Sequence, residues 1–472
     1  MTSTRPQKAF DRSIVEGPIS GAVWKIAWPT VLQNIIGGMQ GVIDHALVGH
    51  FVGFTGNAAV GVSLQIFIVV IVFVMSLYTG MGVLVARAAG AGDASTVNRV
   101  VYQAFIATIM MSVLVLAPVG WLAAPWLLEL VKATPAVRAE ALPFLRTLLV
   151  GGIGMMMFFM LGGALRSAGD AKTPLRLGVA MTALNIGLNV ILIRGMGPIP
   201  ALGTVGAAIG TVIAGITVSA IGFGLLLSGR LVVVWHRGMD WRPDWGVIRQ
   251  LFRFGLPTGL QGIAMNVAGI LLLRFMGGLE RSAETQAAYA VGYTELFSFI
   301  TWTSVGLMGA AAAVAGQNLG AGKPERVERT VQVASRYGMG IAATVGLLFL
   351  LIPRYLFALF GLEDPAVVAL GTELLRWLSV SGLFITVALT YTGGLQGTGD
   401  TKGPLYISII SQIFIPIGLC TVLQATSGLT PGGIWLGVLM GHMARAALSV
   451  ARFKRGKWRT IEIVLTPERR SV

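Results

Sequence analysis

Apolar residues run along this chain in long blocks, without the three-to-four periodicity of a soluble amphipathic helix or the two-fold alternation of a half-buried strand. Blocks long enough to cross a bilayer fall at about residues 22–50, 56–86, 98–125, 136–166, 173–194 and 203–230. A polar, Trp-bearing connector at 233–250 follows, and six more blocks lie at about 251–277, 283–315, 326–353, 366–397, 403–424 and 432–453. The pattern predicts an all-α integral membrane protein with twelve transmembrane helices in two six-helix bundles, at 21–232 and 251–455. Segments 1–20 and 456–472 are expected to lie outside the membrane.

The second half repeats the first. Arg166-Ser-Ala-Gly-Asp-Ala-Lys-Thr-Pro-Leu175 returns as Gln396-Gly-Thr-Gly-Asp-Thr-Lys-Gly-Pro-Leu405, and Gly90-Ala-Gly92 as Gly320-Ala-Gly322, at one common displacement. Pro29-Thr-Val-Leu-Gln-Asn-Ile35 matches Pro257-Thr-Gly-Leu-Gln-Gly-Ile263 two positions out of that register. Six spans per repeat make the two units enter the membrane in the same sense, so pseudo-symmetric bundles facing a central cavity are expected. In the Gly-Asp-x-Lys-x-Pro turns, Gly permits the reversal and Pro174 or Pro404 opens the next helix where its missing N–H is harmless. They read as hinges, with gating ion pairs of Asp170 or Asp400 as the alternative.

Composition supports the membrane reading: 55% of the 472 residues are hydrophobic, 12% are charged and the mean hydropathy is +0.78. The net charge of +15 would suggest nucleic acid in a soluble protein. Here most Lys and Arg fall in the loops of one side, which the positive-inside bias explains, so both termini are expected in the cytoplasm and nucleic-acid binding is rejected. The polar stretch Met1 to Ser20 carries no apolar core before a cleavage site, so no cleavable signal is expected. One cysteine, Cys420, excludes an intramolecular disulfide and a Cys-based metal site. The Gly90 and Gly320 loops lack the Gly-Lys-Ser/Thr ending of a phosphate loop, and no ATP site or other cofactor is expected.

Candidate chemistry starts in the first block. From Ile26 to Val48 a helix would cover roughly 34 Å, and Asp44 sits about 27 Å along it at 1.5 Å per residue, in the far half of a bilayer. A carboxylate there costs about 2.5–3.5 kcal/mol on insertion scales and marks an ion or proton pathway, unless it snorkels or pairs near the helix end. Gln33, Asn34, Gln40 and His45 make the same segment polar. Asn185 and Asn189 share one face of the fifth span at a depth like that of Asp44, and Thr211 reaches it from the opposite side. The four could form a cage for a proton relay or a hard cation such as sodium; amides and a hydroxyl could equally join helices.

The repeat places Leu272 opposite Asp44, so this candidate is confined to the first half. In the second half Glu295 is the acid near mid-membrane, able to take a proton if buried and to stay structural if paired with Arg376 or Arg274. His442 and Arg445 lie toward the cytoplasmic end of the last span and are expected to snorkel. Met155 to Met160 fill much of the fourth span, and with Gln33, Gln40, Met157, Met160 and Gln261 they are weak candidates for a cavity that takes varied apolar ligands; lipid-facing filler is the alternative.

Glu16-Gly-Pro-Ile19, Val42-Ile-Asp44 with Val48-Gly49, the Gly90-Ala-Gly92 loop, Leu165-Arg-Ser-Ala-Gly-Asp170 and Leu395-Gln-Gly-Thr-Gly-Asp400 together resemble the multidrug and toxic compound extrusion (MATE) family over about residues 16–455. The resemblance implies two six-helix lobes in a V around a substrate cavity, with Asp44 as the cation-coupling acid of the N-lobe. It implies export of cationic or amphipathic organic compounds against protons or sodium from the inner membrane, by a monomer among membrane lipids. Family members often carry Asn-x-x-x-Asp on the fifth helix, where this chain has Asn185 and Asn189, which weakens a full sodium site. Met265 replaces the glutamate of the NorM-like branch, and Glu295 looks like the acid of the DinF-like branch. A lipid-linked precursor flippase of the wider superfamily is the alternative, with a membrane enzyme behind it for want of a catalytic cluster.

Overall fold

Long apolar runs leave a backbone in lipid only one way to satisfy its N–H and C=O groups within a segment, and the chain is helical almost throughout. The computed structural model describes residues 9–235 and 242–463; His236, Arg237 and Asp240 of the connector and the tail beyond Ile463 lie outside the described residues. Twelve helical spans run α1 Ile19–Phe51, α2 Phe54–Gly90, α3 Ala94–Leu130, α4 Pro135–Ser167, α5 Lys172–Arg194, α6 Gly203–Leu227, α7 Trp245–Gly277, α8 Ser282–Gly320, α9 Pro324–Leu351, α10 Pro365–Gly397, α11 Lys402–Thr426 and α12 Pro431–Lys454. The span α4 is bent by 48° between Gly151 and Ile153. Several starts are set by Pro in the first turn, as at Pro135, Pro324, Pro365 and Pro431, with Thr134, Asp364 and Thr430 accepting from first-turn N–H groups. Among the described residues three spans contain a π-helical stretch, Ser112–Leu116 in α3, Ala290–Leu296 in α8 and Ile409–Phe414 in α11.

Among the described residues the helices form two compact units, one built on Ile35–Leu256 and the other on Ser13–Asn34 with Pro257–Glu462. The division therefore falls inside α1 and α7, not in the loops that bound the expected bundles at 21–232 and 251–455. Glycines explain which unit takes each early segment. In the first unit, Gly255 lies against the Ser76 carbonyl and Gly80 against the Leu251 carbonyl, so closely that a Cβ would overlap either, and the start of α7 is seated on α2. In the second, Gly306 gives the same close approach to Val31, and Trp24 meets Tyr337 edge-on at 5.6 Å.

Each unit has its own core. Phe67, Leu116, Leu128, Phe144, Leu148 and Met156 build the first, and Phe297, Ile300, Phe349, Phe357, Leu374 and Trp435 the second. The repeated turns have the same backbone: φ is +99° at both Gly169 and Gly399, a region open to Gly at little cost. Their aspartates differ. Asp170 accepts from the N–H (3.0 Å) and hydroxyl (2.7 Å) of Thr173 and caps α5. Asp400 accepts from Gly403 N–H at 3.0 Å and also takes both Nε (2.7 Å) and Nη2 (3.1 Å) of Arg452, a bidentate pair.

The described ends of the connector are fastened to α3. Val234 N–H donates to Asn98 at 2.9 Å, Gln103 exchanges hydrogen bonds with Arg242 and Asp244, and Arg99 pairs with Asp244. Burial pushes the Asp244 carboxyl up, but the Arg99 guanidinium and the N–H groups of Val247 and Gly246 outweigh it and hold it below the usual carboxylate range. A carboxylate with a lowered native pKa stabilises the fold above its unfolded value, near 3.9, and that contribution is lost as pH falls through the native value. Asp244→Asn is therefore expected to lower the unfolding midpoint at pH 7 and to flatten the acid limb of the stability curve, read by thermal unfolding from pH 7 to pH 3. An unchanged acid limb would show that the ion pair contributes nothing there.

Candidate cation-coupling site

The first unit brings Asp44, Asn189, Asn185 and Thr211 together. Close approach of α5 and α6 makes this possible: Gly206 lies against the Leu192 carbonyl and Gly210 against the Asn189 side chain, where a Cβ would overlap either, and these two glycines are one turn apart on α6. Thr211 hydroxyl donates to the Ala207 carbonyl at 3.0 Å, so its oxygen is left to accept from Asn185 Nδ2, also at 3.0 Å. That fixes the Asn185 amide with its Oδ1 toward Asn189, whose Nδ2 donates to it at 3.3 Å and to Asp44 Oδ1 at 2.8 Å. The hydrogen bonds thus diverge from Asn189, one N–H going to Asp44 and the other leading through Asn185 and Thr211 to a helix carbonyl. Asn185 and Asn189 are fully buried, whereas Asp44 is half-buried and retains access.

This arrangement presents the N–H of Asn189 to the carboxylate. A hard cation takes about six oxygen ligands, whereas the Asn189 oxygen faces Gly210 and is left without a hydrogen-bond partner. Among the described residues no group of three His, Cys, Asp or Glu side chains is disposed to hold a metal. His45, next to Asp44 in sequence, turns away to meet Asn57 at 2.6 Å.

The remaining candidates are placed as follows. Gln40 accepts from Thr182 at 2.8 Å in the first unit, where Met157 and Met160 are buried among helices, not spread on a lipid face. Gln33 is half-buried in the second unit. There, buried Gln261 donates to Ser408 at 2.8 Å and accepts from Gln396 at 3.2 Å. Glu295 lies half-buried in the π-helical stretch of α8, and among the described residues it forms no ion pair with Arg274 or Arg376.

The expectation that His442 and Arg445 snorkel is corrected by the structure: they are 2% and 1% exposed. Trp435, Val438, His442, Arg445 and Ser449 recur at helical spacing along the buried face of α12, and this stripe was the available signal for an inward arginine. His442 Nδ1 meets Ser381 Oγ at 2.5 Å and its ring stacks on Phe297 at 5.9 Å.

Two sequential repeats of six membrane helices, with a carboxylate held among buried amides, are the build of a membrane transporter and not of an enzyme. The profile of the MatE family matches residues 29–191 and 257–422, and the chain belongs to that family of transporters. The probable multidrug resistance protein NorM of Thermotoga maritima is 27% identical over 455 residues, covering 94% of each chain. The multidrug resistance protein MdtK of Pectobacterium atrosepticum is 26% identical over 442 residues, covering 91% of this chain and 94% of that protein. Among solved structures, an outward-facing multidrug resistance MATE family transporter of the MOP superfamily matches with a TM-score of 0.87 at 21% identity, over 96% of this chain and 100% of that one. A MOP superfamily transporter from Pyrococcus furiosus, described as having a binding pocket of reverse polarity, matches with the same score and identity. Both share the fold.

Asn189→Leu removes the donor that serves Asp44 and Asn185 together. Leaving a buried acceptor unsatisfied costs about 1–3 kcal/mol, and Asp44→Asn combined with it should cost less than the sum of the two, with a coupling of about 0.5–3 kcal/mol. Unfolding midpoints of the four proteins of the cycle check this; strict additivity would mean that the two side chains do not interact.

Proposed function

We propose that the chain is a secondary active multidrug efflux transporter, exporting cationic or amphipathic organic compounds in exchange for protons by alternating access, with Asp44 as the principal coupling group. The single observation that carries this reading is the network in which Asn189 donates to Asp44 on one side and, through Asn185, leads to Thr211 on the other. It gives the carboxylate an amide N–H donor from Asn189, which suits a group that alternates between carboxylate and carboxylic acid; sodium would need an oxygen where that N–H now stands. The names of the relatives in Thermotoga and Pectobacterium support the multidrug substrate class. The charge asymmetry of the loops supports an inner-membrane protein with both termini in the cytoplasm, working as a monomer among membrane lipids.

In this reading, protonation of Asp44 from outside removes the cost of carrying a charge through a dehydrated intermediate. It also changes the partner of Asn189 from an anion that accepts hydrogen bonds to a neutral acid, and so alters how α1 is held to α5. Moving a two-state equilibrium from 1:99 to 99:1 takes about 5.5 kcal/mol of differential binding. Asp44 therefore shares the task with Glu295 and with the exported compound.

Asp44→Asn is expected to leave the protein folded and inserted while gradient-driven exchange of an organic cation in proteoliposomes falls to the rate of protein-free vesicles. Asp170→Asn, which keeps an oxygen to accept from the Thr173 N–H and so retains the cap, should reduce the rate a few-fold at most. Accumulation of substrate against its gradient by Asp44→Asn at the wild-type rate would refute the assignment, and exchange driven by a sodium gradient alone would refute the choice of ion.

A further inference from the structure

The cation at the centre of the second unit has no counterpart in its sequence repeat or in the transport reading. Arg445 is 1% exposed, it forms no hydrogen bond or ion pair among the described residues, and its Nε and Nη1 are buried without a partner. A guanidinium stays charged in a protein, and a buried charge left unpaired is among the most unfavourable features a fold can contain. The nearest acid along this face of α12 is already engaged, because Asp400 holds Arg452.

Tyr293 and His442 lie within electrostatic reach of Arg445, and polar groups of α11 and α12 lie along its helix face. Gly441, Arg445 and Ser449 lie one turn apart on a common face of α12. Gly441 lies close to the Ser411 carbonyl, with Gln412 Nε2 3.6 Å from where a Cβ would stand, so this face looks onto the π-helical stretch of α11. The two helices stay in contact from Gly437 against Pro416 to Arg452 against Asp400, and Arg445 and Ser449 fall between those points. Ser411 Oγ, Gln412 Nε2 and Ser449 Oγ are buried and unpartnered, as are the two guanidinium nitrogens. All five can donate, and only the two hydroxyls can also accept. On the other side, Trp435, Tyr289, Tyr293, Phe297 and His442 form a continuous stack with ring centroids 4.8–6.1 Å apart, and the His442 nitrogen on that side is taken by Ser381.

We infer that the seam between α11 and α12 is a binding site for a small monovalent anion of the halide class, held by Arg445 with Gln412, Ser411 and Ser449. A cation would be repelled by Arg445. A water there would find many donors and few acceptors for its own hydrogens, and phosphate, partly dianionic at neutral pH, would bring more negative charge than the one guanidinium balances. The anion neutralises Arg445 and fastens α11 to α12, so halide binding stabilises the second unit independently of the Asp44 site and of the exported compound.

The test uses the full-length protein in detergent, with thermal unfolding followed in sodium bromide against sodium gluconate at constant ionic strength and crystals measured at the bromine absorption edge. Bromide should raise the wild-type midpoint saturably over gluconate and give an anomalous peak beside Arg445. Ser449→Ala and Gln412→Leu should shift half-saturation to several-fold higher bromide, and Arg445→Met should respond equally to both salts. Should Arg445→Met fail to fold, the two milder variants decide the matter. Equal wild-type midpoints in the two salts, a bromide response kept by Arg445→Met, or unshifted saturation in both milder variants would overturn the inference.

Discussion

The polarity of a single hydrogen-bond chain determines what the first unit can do. The carbonyl of Ala207 can only accept, so Thr211 must donate to it, and every link from there to Asp44 has its donor and acceptor assigned in turn. Two amides buried in a membrane helix would be a liability if either were free to rotate. Here each is locked by the next, and the carboxylate at the end receives the last free N–H. The glycines of α6 are part of the same device, since a side chain at Gly206 or Gly210 would push α5 away and separate Asn189 from Asp44.

That chain belongs to one unit alone, which gives the repeat its meaning. The turns at Gly169 and Gly399 keep the same backbone, and the early segments of α1 and α7 are each seated by close glycine contacts in the unit that follows or precedes them. What differs is the buried polar chemistry. The first unit ends its network in an acid, and Leu272 takes the corresponding place in the second. The second unit instead buries a base, Arg445, behind a wall of aromatic rings.

Much of this was legible before any coordinates. Twelve spans follow from run length, because helix is the one open structure that satisfies its own backbone in lipid. The grouping of Asp44, Asn185, Asn189 and Thr211 follows from depth and from the four-residue spacing of the two asparagines. The direction of the hydrogen bonds did not follow, since it depends on which rotamer Thr211 adopts on its own helix. The split of α1 and α7 between units was also hidden: hydropathy reports that a helix is buried in lipid or protein, not which neighbour its glycines admit. Arg445 was misread from its position near a helix end. Its place in the stripe from Trp435 to Ser449 points inward, and facing angle outweighs depth when Gly441, one turn away on the same helix, lets α11 come close.

The central claim is that Asp44 exchanges its proton as the transporter turns over, under the control of Asn189. Difference infrared spectroscopy with pH steps, on protein in lipid, reads the carboxylic C=O band of a single acid directly. The account predicts a band that titrates reversibly in the wild type, disappears in Asp44→Asn, shifts in frequency in Asn189→Leu and is lost when an exported organic cation is added. A band that survives Asp44→Asn unchanged, or is indifferent to the cation, would contradict it.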